Sequence, residues 1–136
     1  MPNIAIVTDS TASIPETILR ELNIHVVAYY IHRGREVLRD LVTIQRDEFL
    51  RWLPAATVLP TTASPGPGDY LDMYRSLIAN GVRSILSIHM SSKTSGAYQA
   101  AKVAQSMLRE EAPEVQIEWW TRSILARARP DCAFIL

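Results

Sequence analysis

Apolar runs along this chain change their period, and each change marks an element. Ile4 to Thr8 is a short apolar run halted by polar residues, the pattern of a buried parallel strand, and Pro15 then suits the first turn of a helix ending near Leu22. Ile24 to Ile31 is long, β-branched and aromatic and predicts one strand. Arg33 and Gly34 turn it toward a weaker extended piece, Val37 to Leu41, predicted to form an edge hairpin. Thr43 is placed to cap a helix running to Leu53, with Glu48 in its early turns, Pro54 as its stop, and Ile44, Phe49, Leu50 and Leu53 as its packing side chains.

Thr57 to Gly68, rich in proline and glycine, predicts an ordered loop, after which Pro67 and Asp69 open a helix. Tyr70, Leu71, Tyr74, Leu77 and Ile78 recur at helical spacing along it, and Asn80 with Gly81 ends it. Ser84 to His89 reads as a second buried strand. A helix follows to about Glu111, with Ala97, Ala100, Ala101, Ala104 and Leu108 forming a small-residue face for close approach to a sheet. Val115 to Ile117 begins a further strand. Strands alternating with helices predict an α/β domain with a mostly parallel sheet flanked by helices.

Composition narrows the function classes. With 136 residues, 48% of them hydrophobic, the chain has the material for one cored domain without staples. Acidic and basic side chains balance at 14 each, so no global field draws in nucleic acid or a membrane surface. Cys132 is the only cysteine, which rules out an intrachain disulfide and a set of thiolate zinc ligands and fits a reducing cytoplasm. No basic leader precedes the first strand, and no apolar run approaches the ~18 residues of a membrane span.

The candidate chemistry lies in three hydroxyl-rich loops at the ends of apolar runs: Asp9, Ser10, Thr11; Pro60, Thr61, Thr62; and Ser91, Ser92, Lys93, Thr94, Ser95, Gly96. In an alternating α/β chain such loops gather on one sheet edge, where helix N-termini favour an anion. Each has a plainer reading: Ser95 as a helix cap, Thr61 and Thr62 bonding their own backbone in a rigid connector, Asp9 capping the next turn. Neither a GxxxxGK[ST] phosphate loop nor a GxSxG nucleophile elbow occurs. His25, His32 and His89 lack the i, i+4 spacing of a helical zinc site and read as core or surface residues. The aromatics Tyr29, Tyr30, Trp52, Tyr70, Tyr74 and Tyr98 read as packing residues, and nothing calls for a metal or cofactor.

Taken together, Ile4 to Pro15 (IAIVTDSTASIP), Ile24 to Val27, Pro60 to Tyr70 (PTTASPGPGDY) and Ser87 to Ala101 (SIHMSSKTSGAYQAA) resemble the N-terminal half of the DegV family. The resemblance runs in unbroken order over residues 1 to about 118. It implies an α/β N-terminal domain, a long-chain fatty acid such as palmitate held between it and a second domain, and in some members presentation of that acid to a fatty acid kinase that makes acyl-phosphate. Residue by residue, it assigns carboxylate binding to Thr62 and Ser95, with Ser10, Thr11, Thr61, Ser91 and Ser92 as supporting loop residues. It implies binding without catalysis. The chain departs from the family pattern at Ser13, where Asp is usual, and at Ala63 and Ser64, where Ser-Gln is usual, which removes a polar side chain beside Thr62. Two other classes stay open: a hydrolase using Ser10 or Ser92 with Asp9, and a stand-alone protein-interaction domain.

After Glu118 the family continues with a pattern like Val-Val-Asp-Ser, whereas this chain reads Trp119, Trp120, Thr121, Arg122. Tryptophan has one codon, so these positions are encoded TGG TGG ACN, and starting one base earlier gives Met or Val, then Val, then Asp. Residues 119–136 are therefore expected to be an out-of-frame tail, leaving a truncated chain without the second domain. Such a remnant is expected to bind lipid poorly and to self-associate through an uncovered apolar face, with Trp119, Trp120, Phe134, Ile135 and Leu136 folding over it or pairing with another copy.

Overall fold

A computed structural model of the chain describes residues 4–121. Four strands, β1 (Ile4–Asp9), β2 (Ile24–Val27), β6 (Ser84–His89) and β7 (Gln116–Thr121), form a parallel sheet in the order β2-β1-β6-β7. Three more, β3 (Tyr30–Arg33), β4 (Glu36–Arg39) and β5 (Thr61–Ala63), form a small antiparallel sheet in the order β4-β3-β5. The helices are α1 (Glu16–Glu21), α2 (Arg46–Trp52), α3 (Pro67–Ala79) and α4 (Ala97–Glu111). The α/β class with a parallel sheet is as the periodicity predicts.

The core lies where α3 and α4 pack on each other and on the parallel sheet. Tyr70, Leu71, Tyr74 and Leu77 on α3 meet Ala97, Ala100, Ala101, Ala104 and Leu108 on α4, above Ala5, Val7, Ile85 and Ile117 of the strands. Four alanines on one helix face let α4 approach closely, as their spacing predicts. Ile78 is only partly buried but packs against this cluster. Gly81, at φ +86, closes α3 in the left-handed conformation that a side chain resists.

Four expectations fail between residues 24 and 68. The strand expected over Ile24 to Ile31 is two strands in different sheets, because the backbone of Tyr29 leaves the ladder: its N–H donates to Ser10 Oγ at 3.1 Å and its carbonyl accepts from the Asp40 N–H at 2.9 Å. Thr43 does not cap a helix; its hydroxyl accepts from the Arg39 N–H at 2.7 Å, and α2 starts at Arg46 behind Gln45, which makes no side-chain cap bond. Of the side chains expected to pack α2, Ile44 is buried but precedes the helix, while Leu50 is 59% and Leu53 36% exposed. The loop over Thr57 to Gly68 contains β5, whose Thr61 and Thr62 pair with His32 and Ile31 of β3. Three residues are too few to show a period of two.

The tail expected from residue 119 begins inside β7, where Trp119, Trp120 and Thr121 pair with Ser87, Ile88 and His89. Residues 122–136, Cys132 and the terminal apolar residues included, lie outside the described residues.

Candidate functional site

Strand order fixes where ligand-binding groups collect. From β1 the chain moves to β2 on one side, and β6 later enters on the other side of β1, so the connections diverge between β1 and β6. In open α/β sheets the crevice at the carboxyl ends of two such strands is the usual ligand site. Here it receives the loop after β1, with Asp9, Ser10 and Thr11, and the loop after β6, with Ser91 to Ser95. The two loops touch through the Met90 N–H, which lies 3.5 Å from Asp9 Oδ2.

Asp9 is the buried anchor of this edge, 1% exposed. Its Oδ1 accepts from the Thr11 N–H at 3.1 Å and from the Thr11 hydroxyl, capping the short 3-10 turn Ser10–Ala12. Its Oδ2 faces His89 Nδ1 at 3.7 Å. Burial alone would raise the Asp9 pKa, but the contacts with His89, Thr11 and the Met90 N–H together outweigh it and hold the carboxyl below its ordinary value. Beyond His89 the polar chain runs inward: His89 Nε2 to Ser87 Oγ at 2.8 Å, and Ser87 Oγ to the Tyr74 hydroxyl at 2.8 Å. Burial pushes the Tyr74 phenol up to about 12, so it stays protonated.

Asp9, His89 and Ser87 have the residue types of a hydrolytic triad, which the sequence does not reveal because the three are scattered along it. The arrangement is not open to substrate, since Ser87 is fully buried under α3 and α4. Ser10 is no better placed as a nucleophile, being 2% exposed with its oxygen accepting the Tyr29 N–H.

The remaining expected residues divide by exposure. Ser95 is half-buried just before α4, and its Oγ accepts from the Ala97 N–H at 3.2 Å and lies 2.5 Å from the Tyr29 hydroxyl. The capping contact therefore coexists with partial exposure of the side chain. Ser91 is buried and structural: its Oγ accepts from the Lys93 N–H, and its carbonyl from the Thr94 and Ser95 N–H groups. Ser92 and Thr11 are exposed, as are Thr61 and Thr62 on β5. Neither threonine of β5 bonds its own backbone through its hydroxyl, so the plain connector reading is not what holds this segment; the β3 ladder does. Just past β5, Ser64 reaches the start of α4, where a Cβ placed on Gly96 would stand 3.4 Å from Ser64 Oγ. Asp69 ties the same segment to the hairpin, taking the Tyr30 hydroxyl at 2.7 Å and the Gly66 N–H at 2.8 Å.

Of the tyrosines read from the sequence as packing residues, Tyr29, Tyr30 and Tyr74 each hydrogen-bond through the phenol, whereas Tyr70 does not. Tyr29 bridges the β1 loop and Ser95; a phenol at the end of a strand and beside hydroxyl loops was the available signal. Tyr70 is fully buried, stacks edge-on against His89 with ring centroids 5.1 Å apart, and has a hydroxyl with no hydrogen-bond partner among the described residues. Burial first, then the Asp9 charge, drives its pKa far up.

A narrow cleft beside Asp9 and Ser10, lined also by Ile14, Leu19 and Val26, has no space that a water-sized sphere can enter, whereas small-molecule pockets usually begin at ~300 Å³. Among the described residues no group of three or more His, Cys, Asp or Glu is placed to hold a metal ion, and no helix is long and apolar enough to cross a membrane.

Comparison with known proteins places this architecture. A DegV-domain protein of Halalkalibacterium halodurans is 38% identical over 108 residues, which are 79% of this chain and 38% of that protein. Among solved structures, DegV of Bacillus subtilis, described as a fatty acid binding protein, superposes with a TM-score of 0.77 at 30% identity over 87% of this chain and 40% of its own. A stearic acid-binding protein from Eubacterium ventriosum superposes with a TM-score of 0.78 at 27% identity over 86% of this chain and 40% of its own. The chain thus spans about two fifths of the length of the relatives it matches. A family model described as "Uncharacterised protein, DegV family" matches residues 3–118, and on that match the chain belongs to the DegV family.

Proposed function

We propose that this chain binds the carboxylate end of a long-chain fatty acid, palmitate among them, through the hydroxyls of Thr62 and Ser95, and that it does so in the cytoplasm as a binding protein and not an enzyme. The observation that carries the reading is the position of Ser95. It stands at the N-terminus of the 15-residue helix α4, beside the β1–β6 switch point, in a fold whose solved counterparts from Bacillus subtilis and Eubacterium ventriosum are described as binding fatty acid and stearic acid. Thr62 supports it as an exposed hydroxyl on the segment that meets α4 through Ser64 and Gly96. In this reading an acyl carboxylate held at the exposed edge is also accessible to a kinase partner, and Ser10, Thr11, Thr61, Ser91 and Ser92 shape the loops around it.

Titration of the ¹⁵N-labelled chain with octanoate and, separately, octanol tests the assignment. Amides of residues 61–63 and 95–97 are expected to shift with the acid and much less with the alcohol. Thr62→Ala or Ser95→Ala should weaken octanoate by ~1.5–3 kcal/mol, the range for a hydrogen bond to a charged group. Equal responses to acid and alcohol, or shifts centred elsewhere, overturn the site.

The small cleft beside Ser10 supports a second part of the proposal, that an acyl tail needs apolar cover from outside residues 4–121. Each methylene left in water forfeits ~0.8 kcal/mol. Palmitate is therefore expected to bind the 136-residue chain weakly, and the uncovered apolar surface to promote self-association. Submicromolar one-to-one binding by a monomer, measured calorimetrically, would show that no further cover is needed. We also propose that residues 119–136 are read out of frame; resequencing decides, and the idea fails if the earlier frame encodes no DegV-like continuation.

A further inference from the structure

Ser95 Oγ has one proton to give and two lone pairs to receive. The Ala97 N–H, at 3.2 Å, occupies one lone pair. The Tyr29 hydroxyl, at 2.5 Å, engages either the second lone pair or the proton. If Ser95 were the donor, the phenolic proton of Tyr29, a residue 8% exposed, would need another acceptor and has none among the described residues, whereas the proton of the half-buried Ser95 can reach solvent or a ligand. With Tyr29 as donor both lone pairs of Ser95 are filled from inside the fold, and the Ser95 proton is left to point outward.

We propose that Tyr29 is a positioning residue, which donates to Ser95 Oγ and thereby aims the Ser95 O–H at an oxygen of an anionic ligand. The inference rests on the reading of Ser95 as a carboxylate contact and adds a residue that the resemblance does not assign. Tyr29 is built for the task by its backbone. Ser10 Oγ takes its N–H at 3.1 Å, the Asp40 N–H binds its carbonyl at 2.9 Å, and the residue is 8% exposed, so the phenol is fixed from both the β1 loop and the hairpin. Burial, reinforced by the Asp9 charge and opposed by the Ser95 bond, raises the phenol's pKa and keeps its proton in place. Ser10, too buried to touch a ligand, acquires a role: it sets Tyr29, which sets Ser95. A free serine hydroxyl rotates among acceptors; one with both lone pairs filled is a donor already turned toward the ligand. Charge-assisted bonds being roughly twice as strong as neutral ones, the benefit falls mainly on a carboxylate.

The test is a double-mutant cycle of Tyr29→Phe and Ser95→Ala in the octanoate and octanol titrations, with the Ala97 amide of the unliganded protein as a second readout. Tyr29→Phe is expected to weaken octanoate about fivefold and octanol less than twofold, to add nothing in the Ser95→Ala background, and to shift the Ala97 amide. In the wild type, which needs no variant to fold, the Tyr29 hydroxyl proton should appear as a slowly exchanging resonance with a nuclear Overhauser contact to the Ser95 β-protons. Full additivity, an unchanged octanoate affinity, or an unmoved Ala97 amide overturns the proposal. If octanoate does not bind the wild type while the Ala97 shift and the hydroxyl resonance are present, the fatty-acid reading falls and the Tyr29–Ser95 donor geometry stands.

Discussion

The parallel sheet with α3 and α4, and the hairpin region from residue 28 to residue 63, are built on different terms. The first buries an apolar cluster from six elements, with Val7, Tyr70, Tyr74, Ala97, Ala101 and Ala104 at zero exposure. The second leaves Val37, Val42, Leu50, Val58 and Leu59 more than half exposed and is attached to the first by polar contacts: Tyr29 to Ser10 and Ser95, Arg46 to the Ser10 carbonyl, Tyr30 to Asp69. The first is held by burial; the second, where only Ala28, Tyr29, Ile31 and Ile44 of the apolar residues are buried, leans more on directed hydrogen bonds, and the proposed carboxylate contacts lie along the seam, where groups must keep their positions while staying reachable.

The sharpest break of this contrast is to overfill the packed half. Ala101 is fully buried on the α4 face against the sheet, so Ala101→Leu has no space to enter without moving the helix. The expected loss is about 1–3 kcal/mol or more, read as a lower urea midpoint with an unchanged slope. A larger midpoint, or none of this loss, would show that α4 lies looser on the sheet than the burial implies.

Next in size is the polar anchor at the seam. Asp9→Asn should cost about 1.5–3 kcal/mol at neutral pH, because a buried carboxylate that accepts several hydrogen bonds is replaced by a group that accepts fewer. The pH dependence has a definite sign. The folded-state pKa of Asp9 lies below the ordinary 3.8, so its stabilisation is complete above that value and is lost as the pH falls through the lower folded pKa. Denaturation curves between pH 7 and pH 2 should therefore fall steeply for the wild type in acid and more gently for Asp9→Asn. Parallel acid limbs would mean that the Asp9 charge is not favoured by its surroundings.

The same contrast explains what could be read from the chain in advance. Strands β1 and β6 and helices α3 and α4 bury one continuous face, and burial leaves a period of 2 or 3.6 in the sequence. The hairpin half leaves no such trace. Thr61 and Thr62 form a strand because β3 offers them a ladder, and the break between β2 and β3 comes from Ser10 capturing the Tyr29 N–H from 19 residues away. The loops after β1 and β6 were legible together because strand–helix alternation puts them at the carboxyl ends of neighbouring strands, whereas Thr61 and Thr62 belong to β5 of the other sheet. The roles of Tyr29, Tyr70 and His89 were not, since a tyrosine in a core and a tyrosine aiming a serine look alike until their partners are known.

A smaller effect tests one unsatisfied group of the packed half, where His89 Nδ1 and the Trp119 indole N–H also lack a hydrogen-bond partner among the described residues. Tyr70 carries a buried hydroxyl with no hydrogen-bond partner among the described residues, so Tyr70→Phe removes an unsatisfied donor and keeps the ring against His89. The expected outcome is neutral to about 1 kcal/mol more stable, read from the urea midpoint. A loss above about 1 kcal/mol would indicate that an internal water or a ligand group satisfies the hydroxyl.

The smallest expected effect lies in the hairpin half. Leu59 is 84% exposed and precedes β5 without joining a ladder, so by burial alone Leu59→Ser should change stability by no more than about 0.5 kcal/mol. Removing an exposed leucine next to the exposed Val58 should lower any self-association, seen as a shift toward the monomer in sedimentation velocity. If stability instead falls as far as it does for Ala101→Leu, the hairpin half is held by apolar burial after all, and the division between a packed half and a hydrogen-bonded half is wrong. If stability holds and the oligomeric state changes, the exposed side chains of this half serve contacts with other surfaces and not the fold.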